Sequence, residues 1–330
     1  MRLGLSYDLK DDIGPADGRA EDALEEYDSK ETVGLIAASL EAGGHTVARL
    51  GGGREFLKNV LCRPVDFVFN IAEGRGTYPA REAQVPSVLE MLGIPYSGSD
   101  PECLAICLDK ALAKKLVEPD GVATPRWKII NDADDSLDGL RFPVIIKPAC
   151  EGSSKGIRLS SLAKNANEAT AEAQRIITGY KQPVMVEEFI AGDEVTVGLT
   201  GNSPPQIVGM MRIAPRRKDQ PFVYSLEVKR DYKNLVDYEC PARLNKNTLQ
   251  RLEAASLQVF KTLGVRDFAR VDFRIGQDGT PYFIEINPLP GLGNHSDLVI
   301  MALMLGWTHK KLVNTVLDAA VARYVECVPA

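Results

Sequence analysis

Several kinds of chemistry are excluded by what this 330-residue chain has little of. Its six cysteines, Cys62, Cys103, Cys107, Cys150, Cys240 and Cys327, form no CxxC pair and sit near no histidine at metal-ligand spacing. That argues against a zinc site. Cysteines so scattered over this length also argue against a secreted disulfide scaffold, and free thiols in a reducing compartment are expected. Basic charge is in deficit: 39 Lys+Arg against 45 Asp+Glu leave a formal net charge of -6. No nucleic-acid partner is expected from that balance, although a local basic pocket for a small anion is compatible with it. No apolar run is long enough to span a bilayer, and Met1–Tyr7 opens as a strand with no cleavable leader pattern. A cytoplasmic protein with no membrane partner is expected. Two nucleotide fingerprints are missing as well. The first strand is not followed by GxGxxG, and Gly51–Gly53 come after the second strand instead, which argues against a nicotinamide dehydrogenase. The stretch Glu151-Gly-Ser-Ser-Lys-Gly156 does not match GxxxxGK[ST], so it is not a P-loop.

What is present is ordinary globular material, 45% hydrophobic, enough for a sizeable core. Residues 2–7, "HTVARL" and "VDFVFNIA" read as strands. A helix over Glu31–Glu41, capped by Asp28 or Ser29, and a helix in "REAQVPSVLEMLG" separate them. This β-α alternation predicts a parallel sheet covered by helices. The turn-rich "PYSGSDP", Pro95–Pro101, marks a boundary. A helix rich in Ala, Leu and Lys follows to Val117, then the strand "FPVIIKPA", a helical "NANEATAEAQRII", and three strands in "PVMVEEFI", "DEVTVGLTGN" and "PQIVGMMRI". Residues 214–244 read as a long polar loop carrying Arg216, Arg217, Lys218, Lys229, Arg230 and Lys233. So long a loop is expected to be functional or disordered.

The C-terminal third holds the most informative pattern. In "DFARVDFRIGQDGTPYFIEINPLPGLGNHS", Ala269, Val271, Phe273 and Ile275 alternate with Arg270, Asp272 and Arg274. One strand face is therefore apolar and the other polar. Asp278-Gly279 signals a hairpin. If its loop is even in length, Asp272, Glu285 and Asn287 share a face. Two carboxylates and an amide oxygen suit a hard divalent cation that also binds phosphate. A solvated polar face is the plainer reading of any such hairpin, but the Pro-Gly turn after Asn287 and the neighbouring Arg270 favour a metal–phosphate site.

Other pieces are individually weak. Lys147 ends a strand, and the small residues of Glu151–Gly156 would let backbone N–H groups approach an anion. Lys110 lies in "LDKALAKK", which alone is a solvated helix face. Glu187, Glu188 and Glu194 surround Phe189-Ile190, a strand-end segment able to hold an adenine and a ribose. Together these pieces offer cations and amides to a polyphosphate, and carboxylates to its metals.

From Asp66 to Leu312 the chain resembles the ATP-grasp superfamily, and within it the D-alanine–D-alanine ligases. The likeness is carried by "GIPYSGSD", "LDKALAKK", "VIIKPACEGSSKGI", "VEEFIAGDEVTVG", "ARVDFR" and "FIEINPLPGLGNHS", in that order. It implies a three-domain α/β ATP-grasp fold: an N-terminal parallel α/β domain (1–98), a central subdomain (99–186) and a C-terminal subdomain (187–330), with ATP between the last two. It implies Lys110 and Lys147 on the ATP phosphates, with the loop of Glu151, Ser153 and Ser154 closing over them. Glu187, Phe189 and Ile190 would meet the adenine and Glu194 the ribose. Asp272, Glu285 and Asn287 would hold Mg²⁺, or Mn²⁺ in its place. Lys229 would reach the transferring phosphate, Arg270 and the Gly291 N–H would stabilise an oxyanion, and Ser296 would bind the second substrate. The implied activity is amide formation through an acyl phosphate, with small amino-acid-like substrates and a homodimer. A ligase for other amino acids or a small carboxylate is the alternative; a nucleotide-binding regulator without catalysis is disfavoured by the retained site residues.

Four positions depart from the family pattern. Glu73, in "IAEG", stands where a His-Gly pair is usual, and Arg230, in "EVKR", where a Tyr is usual. Asp297 replaces an apolar residue after Ser296, and "EEYDSKET" offers Glu26, Asp28 and Glu31 where an "EVS"-like stretch holds the first amine. The reaction class is expected to stand, with Glu73, Arg230, Ser296 and Asp297 shaping a different substrate pocket.

Overall fold

The structure, a computed structural model, describes residues 1–14, 20–217 and 221–324; Lys218 and Cys327 lie outside the described residues. Three sheets follow one another along the chain. Strands β1 (Arg2–Ser6), β2 (Thr46–Gly51) and β3 (Phe67–Asn70) form a parallel sheet in the order β2-β1-β3. This is the sheet the β-α alternation predicts. Ser29, not Asp28, caps its first helix, Lys30–Glu41, by accepting from the Thr32 N–H at 3.1 Å.

The second sheet is antiparallel and built from β4 (Trp127–Ile130), β5 (Val144–Pro148), β6 (Leu162–Ala163) and β7 (Val184–Glu188), in the order β4-β7-β5-β6. A division after residue 186 would cut β7, so we place it in the segment that follows Glu188. The third sheet holds β8 (Asp193–Thr200), β9 (Gln206–Pro215), β10 (Val236–Glu239), β11 (Phe268–Ile275) and β12 (Pro281–Asn287), in the order β10-β9-β8-β11-β12. The expected loop over 214–244 is thus partly ordered structure. It contains the short helices Leu226–Arg230 and Tyr232–Leu235 and the edge strand β10, which pairs with β9. That strand, Val-Asp-Tyr-Glu, is too short and charged to stand out by periodicity.

Two connections position the site. The helix expected to run to Val117 is broken at Asp109, giving Pro101–Leu108 and Lys110–Val117. Asp109 is extended, and its carboxylate accepts from the N–H groups of Ala111 and Leu112 at 2.9 and 3.0 Å. The break leaves Lys110 as the first residue of a capped helix. The C-terminal helices Asp297–Met304 and His309–Val321 return to the first sheet. Leu298, Val299, Leu312 and Val316 share one core with Leu3, Leu5 and Ile36, all essentially without exposure. Each such side chain stabilises the packing by about 1.5–3 kcal/mol, so the strand-to-helix turn Pro288–Ser296 is held against the N-terminal unit.

Candidate active site

The polar face of the β11–β12 hairpin is set by a register slip. The connection Gly276–Thr280 is odd in length, so the condition for pairing Asp272 with Glu285 fails at the turn: Ile275 faces Pro281 and Phe273 faces Phe283. A bulge between Asp272 and Phe273 then absorbs Ile284, and Asp272 faces Glu285 and Arg270 faces Asn287. The bulge sends both Phe283 and Ile286 into the core and turns Glu285 and Asn287 to the opposite face. Asp272 accepts from Thr196 Oγ1 at 2.6 Å, from Arg270 Nη2 at 2.9 Å and from Asn287 Nδ2 at 3.3 Å. Glu285 Oε2 lies 3.2 Å from Lys110 Nζ, which also donates to the Glu151 carbonyl.

The charges differ across this pair. Burial raises the Asp272 carboxyl, and Arg270 only partly offsets it. At Glu285 the burial effect is outweighed by Lys110, Lys147 and Arg270, which hold it down at about 2. Two carboxylates and an amide oxygen on one face are a hard-oxygen donor set that fits Mg²⁺.

A second ion cluster backs the first. Lys147 on β5 lies 2.8 Å from Glu187 on β7, and Lys114 lies 2.6 Å from the other oxygen of Glu187. All three side chains are buried. Burial alone would raise Glu187, but the two lysines outweigh it and keep it ionised. Its carboxylate is engaged by the two lysines, and Glu187 also lines the narrow cleft together with Phe189 and Ile190.

Beyond Glu187, Phe189 and Ile190 line a narrow cleft of about 90 Å³ between the second and third sheets, with Ile145, Val195 and Phe273. Arg274 organises its far end. Its guanidinium stacks 4.5 Å from the Phe189 ring centroid and donates to the Ile190, Gly192 and Phe222 carbonyls at 2.8–2.9 Å. It also meets Glu194 at 3.1 Å. Burial pushes Glu194 up to about 7 despite Arg274.

A larger cavity of about 630 Å³ lies on the other side of Glu285. Its walls are Glu26–Ser29, Glu73 and Glu82 from the N-terminal unit, Gly152–Ser153, and the Pro288–Ser296 turn with Gly291. Ser153 and Ser154 have φ of 53° and 58°, a left-handed pair that turns the loop sharply. Ser154 faces the narrow cleft and Ser153 the larger cavity. Lys229, Arg270, Glu285 and Asp297 border both spaces. Burial first and Arg270 second lower Lys229, which has no ion-pair partner among the described residues.

Three of the expected site residues face protein partners. Glu151 meets Arg81 at 2.9 Å and Lys155 at 2.6 Å, which ties the Ser153 loop to the N-terminal unit. Arg230 pairs with Glu21 and Glu25 at 2.9 and 2.7 Å, so its guanidinium is engaged rather than free for a substrate carboxylate. Asp297 is buried, with Arg270 Nη1 and the hydroxyls of Tyr224 and Tyr238 each 3.4 Å away. Ser296 lines the larger cavity at the start of helix Asp297–Met304, and its Oγ would sit 2.8 Å from a Cβ placed on Gly291, so a side chain there would make the Ser296 hydroxyl rotate away.

The family model described as D-ala D-ala ligase C-terminus matches residues 116–318. The D-alanine–D-alanine ligase of Aquifex aeolicus is 32% identical over 88% of this chain and 94% of its own length. The chain belongs to the D-alanine–D-alanine ligase family. A Sinorhizobium fredii protein described as uncharacterized is 34% identical over 88% of this chain and 87% of its own length. Among solved structures, the Bacillus anthracis D-alanine–D-alanine ligase complexed with ATP superposes with a TM-score of 0.76 at 24% identity, over 99% of both chains. The Enterococcus faecalis VanG D-Ala:D-Ser ligase gives 0.70 at 20% identity, over 97% of this chain and 99% of that one. These likenesses establish the ATP-grasp ligase fold.

For a D-alanine–D-alanine ligase family member, several important residues escaped the reading of the sequence. Arg81, Lys114 and Lys155 act through partners far along the chain, Glu151, Glu187 and Glu26, at separations up to 129 between Lys155 and Glu26. Only Arg274 had a local signal, its place in the β11 alternation beside Asp272.

Proposed function

We propose that this chain is an ATP-dependent carboxylate–amine ligase that forms an amide through an acyl phosphate. The observation that carries this reading is the placement of Asp272 and Glu285 beside Lys110 and Lys147, where the narrow cleft meets the larger cavity. The narrow cleft suits the adenosine of ATP, with the Phe189–Ile190 backbone along the base and Glu194 toward the ribose. Lys110 and Lys147 are suited to the phosphates, and the Ser153–Ser154 turn to closing over them. Mg²⁺, held by Asp272, Glu285 and Asn287 when bound, would neutralise phosphate charge and make the γ-phosphorus more electrophilic.

In the first step an oxygen of the substrate carboxylate attacks the γ-phosphorus. The bond from phosphorus to the β,γ-bridging oxygen breaks, and ADP leaves. In the second step an amine attacks the acyl carbon, the carbon–oxygen bond to phosphate breaks, and the amine loses a proton. Lys229, without an ion-pair partner among the described residues and at the junction of both spaces, is suited to the charge on the transferring phosphoryl group. Arg270 and the Gly291 N–H are suited to the oxyanion of the tetrahedral intermediate. The Ser153 loop and the helix bearing Lys229 would exclude water from the acyl phosphate.

A screen of ADP release over D- and L-amino acids, singly and in pairs, with mass spectrometry of products, tests this. Amino-acid-dependent ADP release with an amide product is expected. ATP binding without ADP formation for any pair would overturn the reading and favour a nucleotide-binding regulator.

A further inference from the structure

The larger cavity has a charge imbalance at its N-terminal end. Glu26 and Glu151 share two cations, Arg81 and Lys155, at 2.6–3.1 Å, and so balance them. Glu73 and Glu82 line the same cavity, and neither has a salt bridge or a side-chain hydrogen bond among the described residues. Glu82 is only 8% exposed. Asp28 adds a further carboxyl to the same wall. Burial and repulsion from neighbouring carboxyls raise all three, Glu82 and Asp28 to about 7, so the wall holds its full negative charge only beside a counter-charge. Among the described residues, no three His, Cys, Asp or Glu side chains are grouped so as to hold a metal ion. The carboxylates are spread along a wall rather than focused on a point, which favours an extended organic cation.

Lys10 lines the same wall and offsets one of the three carboxyls, Asp28, Glu73 and Glu82. A simple α-amino acid brings one ammonium group, which still leaves one carboxyl unbalanced. We propose that Glu73 and Glu82 form a subsite for a second ammonium, so that the amino acid activated here is a diamino acid with a cationic side chain. This rests on the ligase reading of the same site. Each carboxylate would accept a charge-assisted hydrogen bond from the side-chain ammonium. The carboxylate of the same substrate would lie toward Lys229 and Arg270, at the end of the cavity that meets the narrow cleft.

The test compares ornithine and lysine with their uncharged isosteres norvaline and norleucine, in both chiralities, on the full-length protein with ATP and Mg²⁺. ADP release is measured for the wild type, Glu73→Gln and Glu82→Gln, with circular dichroism confirming that each variant folds. The expected result is a kcat/KM at least about tenfold higher for the diamino acid than for its isostere. That preference, read within each variant as the ratio of kcat/KM for the diamino acid to kcat/KM for its isostere, should fall to about one in Glu73→Gln or Glu82→Gln. Equal rates for charged and uncharged side chains, or a preference untouched in both variants, would overturn the subsite while leaving the ligase reading intact. Calorimetric binding of ornithine against norvaline separates the two ideas if no amino acid releases ADP. Binding about tenfold tighter for ornithine and dependent on Glu73 upholds the cation subsite and removes the ligase reading; equal binding overturns the subsite.

Discussion

Asp272 and Glu285 face each other across β11 and β12 only because the strands slip by one residue beside them. Their charges are held unequal, with Glu285 at about 2 and Asp272 raised by burial. Glu285→Gln keeps the shape but removes the charge opposite Lys110. Loss of about 10²–10³ in kcat is expected, the range for one preorganised electrostatic group. Asp272→Asn should behave likewise, and chelation with EDTA should stop ADP release until Mg²⁺ is restored. Wild-type turnover in either variant would remove the carboxylate pair from the chemistry.

Glu187 stands between Lys114 and Lys147 at 2.6 and 2.8 Å, all three buried. Removing the carboxylate leaves two buried ammonium groups uncompensated. Glu187→Ala should cost about 3–5 kcal/mol of stability, the range for breaking a buried ion pair. Lys114→Met should cost less, because Lys147 still pairs with Glu187 and methionine fills the same volume. Urea denaturation with unchanged slope checks both; a loss below about 1 kcal/mol in Glu187→Ala would show that this cluster does not hold the second sheet together.

Arg230 joins the short helix Leu226–Arg230 to Glu21 and Glu25 on the N-terminal unit. The same helix carries Lys229, so the pairs tie that segment to the N-terminal unit beside the cavity. The pairs are largely exposed and contribute little to global stability. Arg230→Ala is expected to leave the melting temperature nearly unchanged, raise KM for the amino acid about tenfold, and speed limited proteolysis in the 226–235 segment. An unchanged KM and cleavage rate would mean that the helix keeps its place without this contact.

Much of this site was legible in the sequence because its residues lie on regular strands. The β11 alternation placed Arg270 and Asp272 together, and a single lysine at the end of β5 marked Lys147. Asp272 and Glu285 do share a face, but through an odd connection and a bulge rather than an even loop, and bulges leave no clear local signature. Glu151, Arg230 and Asp297 were found, but apart from Arg270 beside Asp297 their partners were not. Arg81, Glu21 and Glu25 are brought to Glu151 and Arg230 by the packing of one unit on another, and Tyr224 reaches Asp297 from the irregular segment after β9. The break at Asp109 was missed because the flanking residues are all good helix formers, and the capping carboxylate alone decided it.

Asp28 gives a pH prediction whose sign can be worked through. Burial, with Asp8 nearby, raises its pKa from 3.8 to about 7 in the folded protein, against only partial relief from Lys10. A carboxyl with a raised folded pKa holds its proton more tightly in the native state. Its favourable contribution is complete below about pH 3.8 and is lost as pH rises through about 7. Integrated over that window, the loss reaches about 4 kcal/mol at most. Asp28→Asn carries no charge at any pH and escapes the loss. The variant should therefore match the wild type near pH 4, gain on it steadily toward pH 7, and hold a constant advantage above that. Urea unfolding of both proteins, without substrates, at intervals from pH 4 to pH 9 measures this difference. A difference that stays flat across the window would mean that Asp28 ionises normally in the folded protein, and that the N-terminal wall of the cavity is better solvated than its packing implies.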